Sequence, residues 1–474
     1  SDTAPLELLI YDLNGNLLRI NNALKKSEFK YNPRSRMCYS NVIDETEHTV
    51  SQIYYEYDAL GRISSQKKYH EVQSKTEEET ADCSLITCSY DDNLRSATVT
   101  DELGCITVNS FDNLGRLVKV TKKGNTYEND ETYKDVEKTI TIKLSYDKFD
   151  RVVKMTEASY DDPSLENEKF KGISYSYDIQ DRLLRKTDAD GNITEYIYDD
   201  SNNSVKENIR HIKGNSEVLD ESKLIYKDYN GNIIKEIQYY DVSGNLGNTI
   251  TLLYDGKGRK TCSTDAKGNV TRFSYNNLGL LSKTEYSDGL VENNIYDNDG
   301  KLIKNEKSKE SSSVFTEYSV NSLGYVYEEK TPVIVNGVDK NLLMKKVYDV
   351  RVNVLKEQTY YEGCDDIRTV SSTYDWNGKV LSETDGEGNT TVYTYDKKGN
   401  VITVTDPRQN NVSYELEFEM SMKYDSFGRL IHGILPKNNS GKETEVFMAY
   451  DARGNNIRRK DPEEGETVYE YTDG

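Results

Sequence analysis

Side chains capable of chemistry are scattered along this chain rather than grouped. Six cysteines stand at Cys38, Cys83, Cys88, Cys105, Cys262 and Cys364, with no Cys-x-x-Cys pair and no Cys/His spacing suited to zinc. They read as free thiols, with Cys83 and Cys88 spaced to meet across a strand pair. Four histidines, His48, His70, His211 and His432, lie far apart, and none sits in a nucleophile or His-Glu-x-x-His context. Asp188-Ala189-Asp190-Gly191-Asn192 and Asp297-Asn298-Asp299-Gly300 have the acidic spacing of a calcium loop but lack the later bidentate Glu. Carboxylate pairs for glycoside hydrolysis cannot be singled out among so many aspartates. The sole tryptophan, Trp376, is a candidate ligand platform inside a turn. No metal or cofactor is expected from these residues.

The aspartates have another explanation. Tyr395-Asp396-Lys397-Lys398-Gly399-Asn400-Val401 is one copy of a repeated pattern: aromatic, Asp, two variable residues, Gly, often Arg or Asn, then an aliphatic. Further copies carry Tyr57, Asp58, Gly61 and Arg62; Phe111, Asp112, Gly115 and Arg116; Tyr254, Asp255, Gly258 and Arg259; and Tyr424, Asp425, Gly428 and Arg429. Less regular copies surround Tyr198, Tyr229 and Gly324, and Asp150 and Asp181 stand where Gly is expected. A motif repeated this often is a structural unit. Asp folds its carboxylate onto amides ahead of it, and Gly supplies the positive φ of a turn with a bulge. The recurring Arg is placed to pair with turn aspartates of the neighbouring repeat, a contact that matters as a network.

Several aromatic-to-aromatic steps, such as Tyr254 to Tyr275 to Tyr296, are 21 residues. A second turn lies about ten residues after some of the aromatics: Asp188–Asn192, Asp265–Asn269, Asp385–Asn389. Between turns run β-branched and aromatic segments such as Val401-Ile402-Thr403-Val404-Thr405. Each unit is thus a hairpin of short strands, with the flanking aromatic and aliphatic facing each other and Tyr stacking on Tyr along the sheet.

The expected fold is all-β: an array of short antiparallel hairpins, roughly thirty strands, in a sheet that must coil because strands twist by about 20–25° each. Residues 1–474 read as one continuous array without a domain boundary, a piece of a longer protein. Counting Gly and leaving out Tyr, the apolar share is roughly a third against the usual ~45–50%, while 38 tyrosines and 10% aromatic content argue against disorder. A single curved sheet, wet on both faces, reconciles these numbers. A net charge of −21 disfavours nucleic acid and anionic membrane surfaces, and no apolar run approaches a membrane span. Glu71–Asp82, Asn305–Ser313 and Lys437–Lys442 read as solvated loop tips.

These units resemble the YD repeats of the RHS family, on the Tyr-Asp-x-x-Gly-Arg/Asn copies and the Thr-Asp-x-x-Gly-Asn half-repeats above. The family includes bacterial polymorphic toxins, shell subunits of Tc toxins, wall-associated proteins and teneurins. The resemblance implies a spiralling sheet or partial hollow shell, secreted or at the cell surface of a bacterium. In toxins that shell encloses a C-terminal polypeptide, and such shells end in an Asp-Pro autoprotease segment. Asp406-Pro407 and Asp461-Pro462 do not stand in an Asp-Pro-x-Gly context. The expected function is a non-catalytic scaffold enclosing a toxin-like polypeptide. The alternatives are a surface adhesin that binds glycan or protein partners and, last, a carbohydrate-active enzyme.

Overall fold

The computed structural model describes residues 8–469, apart from 22–24, 45–48, 70–82, 128–134, 157–158, 161–171, 214–215, 240–246, 322–323, 350, 376, 409–418, 437–443 and 462–464. Thirty-eight strands, 2 to 12 residues long, make up the described chain, more than the thirty anticipated. No described helix is long and apolar enough to cross a membrane.

Each strand pairs antiparallel with the next, so the chain is an up-and-down meander. The one departure is local. Val152–Thr156 pairs directly with Gly172–Tyr177, and the two-residue strand Ser159–Tyr160 folds back onto Ile140 and Thr141. Aromatic and aliphatic face each other as the motif requires: Tyr57 opposite Ile63, Tyr395 opposite Val401, Tyr424 opposite Leu430. The register shifts by one residue just inside each of these turns, which is the bulge that positive φ at Gly makes room for.

A strict meander has two rims, and the sequence assigns them different jobs. Every Tyr-Asp turn falls on one rim, here called the YD rim. The half-repeat turns at Asp188, Asp265 and Asp385 fall on the other, as do the strand ends joined by 70–82, 128–134, 240–246, 409–418 and 437–443. All the longer connections therefore leave from this insert rim. Of the expected loop tips, Glu71–Asp82 and Lys437–Lys442 lie outside the described residues. Asn305–Ser313 is not a loop. Strands Leu302–Lys309 and Ser312–Val320 run through it and turn over Glu310 and Ser311, with Glu310 at φ 54. Alternating Lys, Glu and Ser suit a ladder whose two faces are both wet.

The chain has little conventional core. Among the described residues the fully buried large side chains are Ile193 and Ile431. The accessible surface is 30057 Å², against about 18,000 Å² expected for a compact globule of this mass. The wall is held by backbone pairing and half-buried side chains.

Candidate functional site: the repeat turns and the winding seam

The turn is built by its aspartate. At the Asp58 turn, Arg62 N donates to Oδ1 at 2.8 Å, Gly61 N donates to the Asp58 carbonyl at 2.9 Å, and Asp58 N donates to the Arg62 carbonyl at 2.9 Å. The second carboxylate oxygen takes Arg62 Nε at 2.7 Å. The same lock recurs at Asp112–Arg116, Asp255–Arg259 and Asp425–Arg429, and at Asp396, where Asn400 Nδ2 replaces the guanidinium. Gly61, Gly115, Gly258, Gly399 and Gly428 all take positive φ. Asp150 and Asp181 adopt the same conformation at φ 65 and 63, so the irregular copies close normally, because Asp tolerates the left-handed region. Val352, a β-branched residue at φ 72, occupies the same slot under strain.

Arg reaches forward while Tyr reaches back. Arg62 NH1 meets Asp92 at 2.6 Å, Arg116 meets Asp150 at 2.5 Å, Arg151 meets Asp181 at 2.7 Å, and Arg182 meets Asp200 at 2.5 Å. The same guanidiniums lie over the next tyrosine ring: Arg62 over Tyr90 at 4.2 Å, Arg116 over Tyr146 at 4.7 Å, Arg259 over Tyr275 at 4.5 Å. The hydroxyls of Tyr57, Tyr146, Tyr177, Tyr395 and Tyr450 donate to the carbonyls of Met37, Leu117, Val152, Val380 and Leu430 in the preceding unit. This bond explains why the motif aromatic is so often Tyr and so rarely Phe. The expected Tyr-on-Tyr contact occurs at Tyr39–Tyr54, Tyr54–Tyr69 and between Tyr325 and the motif ring of Tyr348, while motif rings such as Tyr90, Tyr146 and Tyr275 lie against Arg.

Several turn carboxylates titrate low. Side-chain hydrogen bonds from Asn16, Asn232, Asn269 and Asn389 hold Asp12, Asp228, Asp265 and Asp385 below the usual carboxylate range. Asp199, bonded first by the Ser201 hydroxyl and then by Asn202, is lowered to about 2. A carboxylate whose folded pKa is depressed stabilises the fold above its unfolded pKa and loses that contribution as pH falls through the folded value. The melting temperature should therefore be insensitive to these groups above about pH 5 and fall progressively from there toward pH 2. Circular dichroism melts across that range test this, and a flat profile would show that the locks do not hold the turns.

A second structure emerges far from any motif. Lys68 Nζ donates to Asn377 Oδ1 at 2.8 Å, and Lys398 Nζ meets Asp101 at 2.6 Å. Thr126 donates to Asp425 Oδ2 at 2.9 Å, and Arg453 lies 3.9 Å from Asp190. In each case a YD-rim turn late in the chain touches the insert-rim side of an early strand. The partners lie twenty-four strands apart in the first three cases and twenty-one in the fourth. The sheet therefore winds round and seats its second winding on its first. At the seam Ser426 N donates to the Asn125 carbonyl at 2.8 Å, and Asn125 N donates to Ser426 Oγ at 3.0 Å. The Asp425 side chain has no solvent exposure and takes Thr126 together with Arg429 Nε. Phe427, Val120, Ile140 and Ile142 line a cavity of about 270 Å³ at the seam, together with Cys105, Lys398 and Arg429.

Of the motif residues, the seam gathers Asp425, Arg429 and the Asp396–Gly399 turn, through Lys398. The turns at Asp58, Asp112 and Asp255 remain along the YD rim. Sequence reading missed Asp101, Gly124, Thr126 and Lys398. Gly124, a glycine inside a strand, was the one legible clue: a Cβ there would stand 2.6 Å from Ser426 Cβ. Gly124→Ala should cost about 1–3 kcal/mol at the seam and leave the pairing of Leu117–Tyr127 intact. Hydrogen exchange at 424–429 reads this out, and Ser426→Gly on that background should restore part of the protection.

The remaining candidate chemistry disperses. Cys83 and Cys88 lie five residues apart on one strand, Cys83–Asp91, and so cannot pair across two; all six thiols are free. His211 meets Asp220 at 2.7 Å, and His432 meets Glu445 at 3.1 Å while stacking on Phe447. His48, His70 and Trp376 lie outside the described residues. The Asp188 carboxylate is occupied by Asp190 N, Asn192 N and Asn192 Nδ2. Among the described residues no three His, Cys, Asp or Glu side chains converge as for a metal ion.

Residues 374–410 match the RHS Repeat family. No curated protein sequence matches the chain. Among solved structures, a TcdB2-TccC3 crystal structure is similar over 98% of this chain and 33% of its own, at 13% identity and TM-score 0.41. The Photorhabdus luminescens Tc holotoxin pore is similar over 99% of this chain and 35% of its own, also at 13% identity and TM-score 0.41. A porin-like protein from Bacteroides uniformis is similar over 52% of this chain and 88% of its own, at 12% identity and TM-score 0.15. The chain spans about a third of the length of the two toxin structures. Residues 374–410 thus match an RHS repeat, and the same locked turn recurs on both sides of them.

Proposed function

We propose that this chain is a non-catalytic wall segment of a secreted or surface RHS-type protein, and that its windings enclose a polypeptide carried by the same protein. The seam is the observation that supports this reading. A sheet with so little core gains nothing as a globule, yet it spends a buried carboxylate, Asp425, on sealing winding to winding. Sealing serves a wall that must exclude proteases and solvent from one side. The turn chemistry fits the same role, because described units are braced to their neighbours by Arg reaching forward and Tyr reaching back.

The test uses the protein in its full natural length, treated with a nonspecific protease. An enclosed segment should survive in the wild type and become cleavable when Asp425→Ala opens the seam. Equal digestion of every segment outside the wall, with and without the substitution, would overturn the enclosure. A surface adhesin is the second reading. It is favoured by the placement of all the longer connections on one rim, where they would be presented together. Binding of this chain to a glycan array, lost on shortening 240–246 or 437–443, would support it instead.

A further inference from the structure

One thiol lies against an amine. The Cys364 sulfur accepts from Lys340 Nζ at 2.9 Å. Lys340 belongs to strand Val338–Tyr348, and Cys364 to the connection between Val354–Tyr361 and Arg368–Tyr374, so the contact ties a strand to the turn of the next hairpin. That turn is held in place. Glu362 N donates to the Asn341 carbonyl at 2.8 Å, Asn341 Nδ2 donates to the Glu362 carboxylate, and Cys364 N donates to the Tyr361 carbonyl at 3.0 Å. Gly363, at φ 75, makes the reversal. Both partners are half-buried, and among the described residues Lys340 enters no ion pair that would draw it away.

The other thiols lack this arrangement. Among the described residues no other cysteine sulfur meets a side-chain nitrogen. Burial pushes the Cys88 and Cys105 thiols up, so they hold less of the thiolate that reacts with oxidants. Cys38 instead donates to the Lys30 carbonyl at 3.5 Å.

We infer that Lys340 and Cys364 are a modification site, joined by peroxide into a sulfenamide that staples the turn to the neighbouring strand. In the first step the Cys364 thiolate attacks a peroxide oxygen, the O–O bond breaks, and the Lys340 ammonium gives a proton to the departing hydroxide. The products are a sulfenic acid, water and a neutral amine. In the second step the amine lone pair attacks the same sulfur, the S–O bond breaks, and the leaving hydroxide takes a proton from nitrogen and departs as water. Sulfur is oxidised and peroxide is reduced; the net loss from the protein is one hydrogen from sulfur and one from nitrogen. A sulfenic acid condenses with a thiol or nitrogen beside it, and here the neighbour is Lys340. Holding the two groups in contact makes the second step intramolecular. Both partners belong to adjacent hairpins, so the link forms whether or not the wall encloses a polypeptide.

The test treats the native protein, at its full natural length, with hydrogen peroxide and reads its tryptic peptides by mass spectrometry. The peptide carrying Lys340 should appear joined to the one carrying Cys364, two hydrogens lighter than their sum, and dithiothreitol should release both. Trypsin should also stop cutting after Lys340. Lys340→Arg keeps a donor beside the sulfur but offers a guanidinium that stays protonated. It should keep the circular dichroism spectrum and give no link, and its Cys364 should run on to sulfinic acid, which dithiothreitol does not reverse. Absence of the linked peptide from the wild type, or equal conversion of Cys364 to sulfinic acid in the wild type and Lys340→Arg, would overturn the assignment.

Discussion

Asp425→Ala is expected to open the winding seam at a cost of about 3–5 kcal/mol, the range for removing one partner of a buried ion pair. The carboxylate has no solvent exposure and accepts from Arg429 and from Thr126 of the other winding. Its loss takes from the Arg429 guanidinium, 14% exposed, the carboxylate that it meets at 2.7 Å, while the bonds to the Asp451 carbonyl and the Thr126 hydroxyl remain. Because each unit in a repeat array contacts chiefly its neighbours, the damage should stay local. Amide exchange at 124–126 and 425–429 should accelerate while the strands around Tyr254 keep their protection. Asp58→Ala in a turn with no second winding above it is the control, and its effect should be confined to one hairpin. Unchanged exchange across the seam in Asp425→Ala would show that the windings are held by something else.

Gly399→Val is expected to disrupt its turn by at least about 1–3 kcal/mol. Gly399 sits at φ 91, where a β-branched side chain is strained, and an added Cβ would overlap the Lys379 ammonium. Lys379 lies 5.1 Å from the Tyr395 ring, so the substitution must also displace the cation of that stack. Val352 shows that the turn can still form around such a residue, which makes the cost finite. A two-dimensional NMR or exchange measurement at 396–400 tests this, and a neutral result would mean that neither the strain nor the overlap is real.

How far each level was legible follows from the reach of its contacts. The turn was readable because its donors lie two to four residues from Asp58, so one short motif contains the whole lock. The forward reach of Arg62 to Asp92 was anticipated because it spans one repeat. The back-bond from Tyr57 to Met37 also reaches one unit away but leaves no composition signal beyond the excess of Tyr over Phe, and the Arg over so many motif rings was not foreseen. The seam was hidden. Thr126 and Asp425 are 299 residues apart, and each belongs to an ordinary strand end or turn when read locally. Coiling followed from strand twist, but the number of strands per winding depends on accumulated twist that no single residue reports. The loop expected at Asn305–Ser313 failed because charge was read as irregularity, when a sheet wet on both faces can carry Lys and Glu along a regular ladder.

The scarcity of fully buried side chains carries a calorimetric consequence. The heat capacity gained on unfolding comes from newly hydrated hydrocarbon, ordinarily about 12–15 cal/mol/K per residue. A wall whose buried apolar side chains, among the described residues, are Tyr39, Cys105, Ile140, Ile193, Leu343, Ile431 and Val446 has little hydrocarbon left to uncover. Its increment should fall below that range, so the curve of folding free energy against temperature should be broad and shallow. Such a wall would keep nearly the same strength in cold water as in warm.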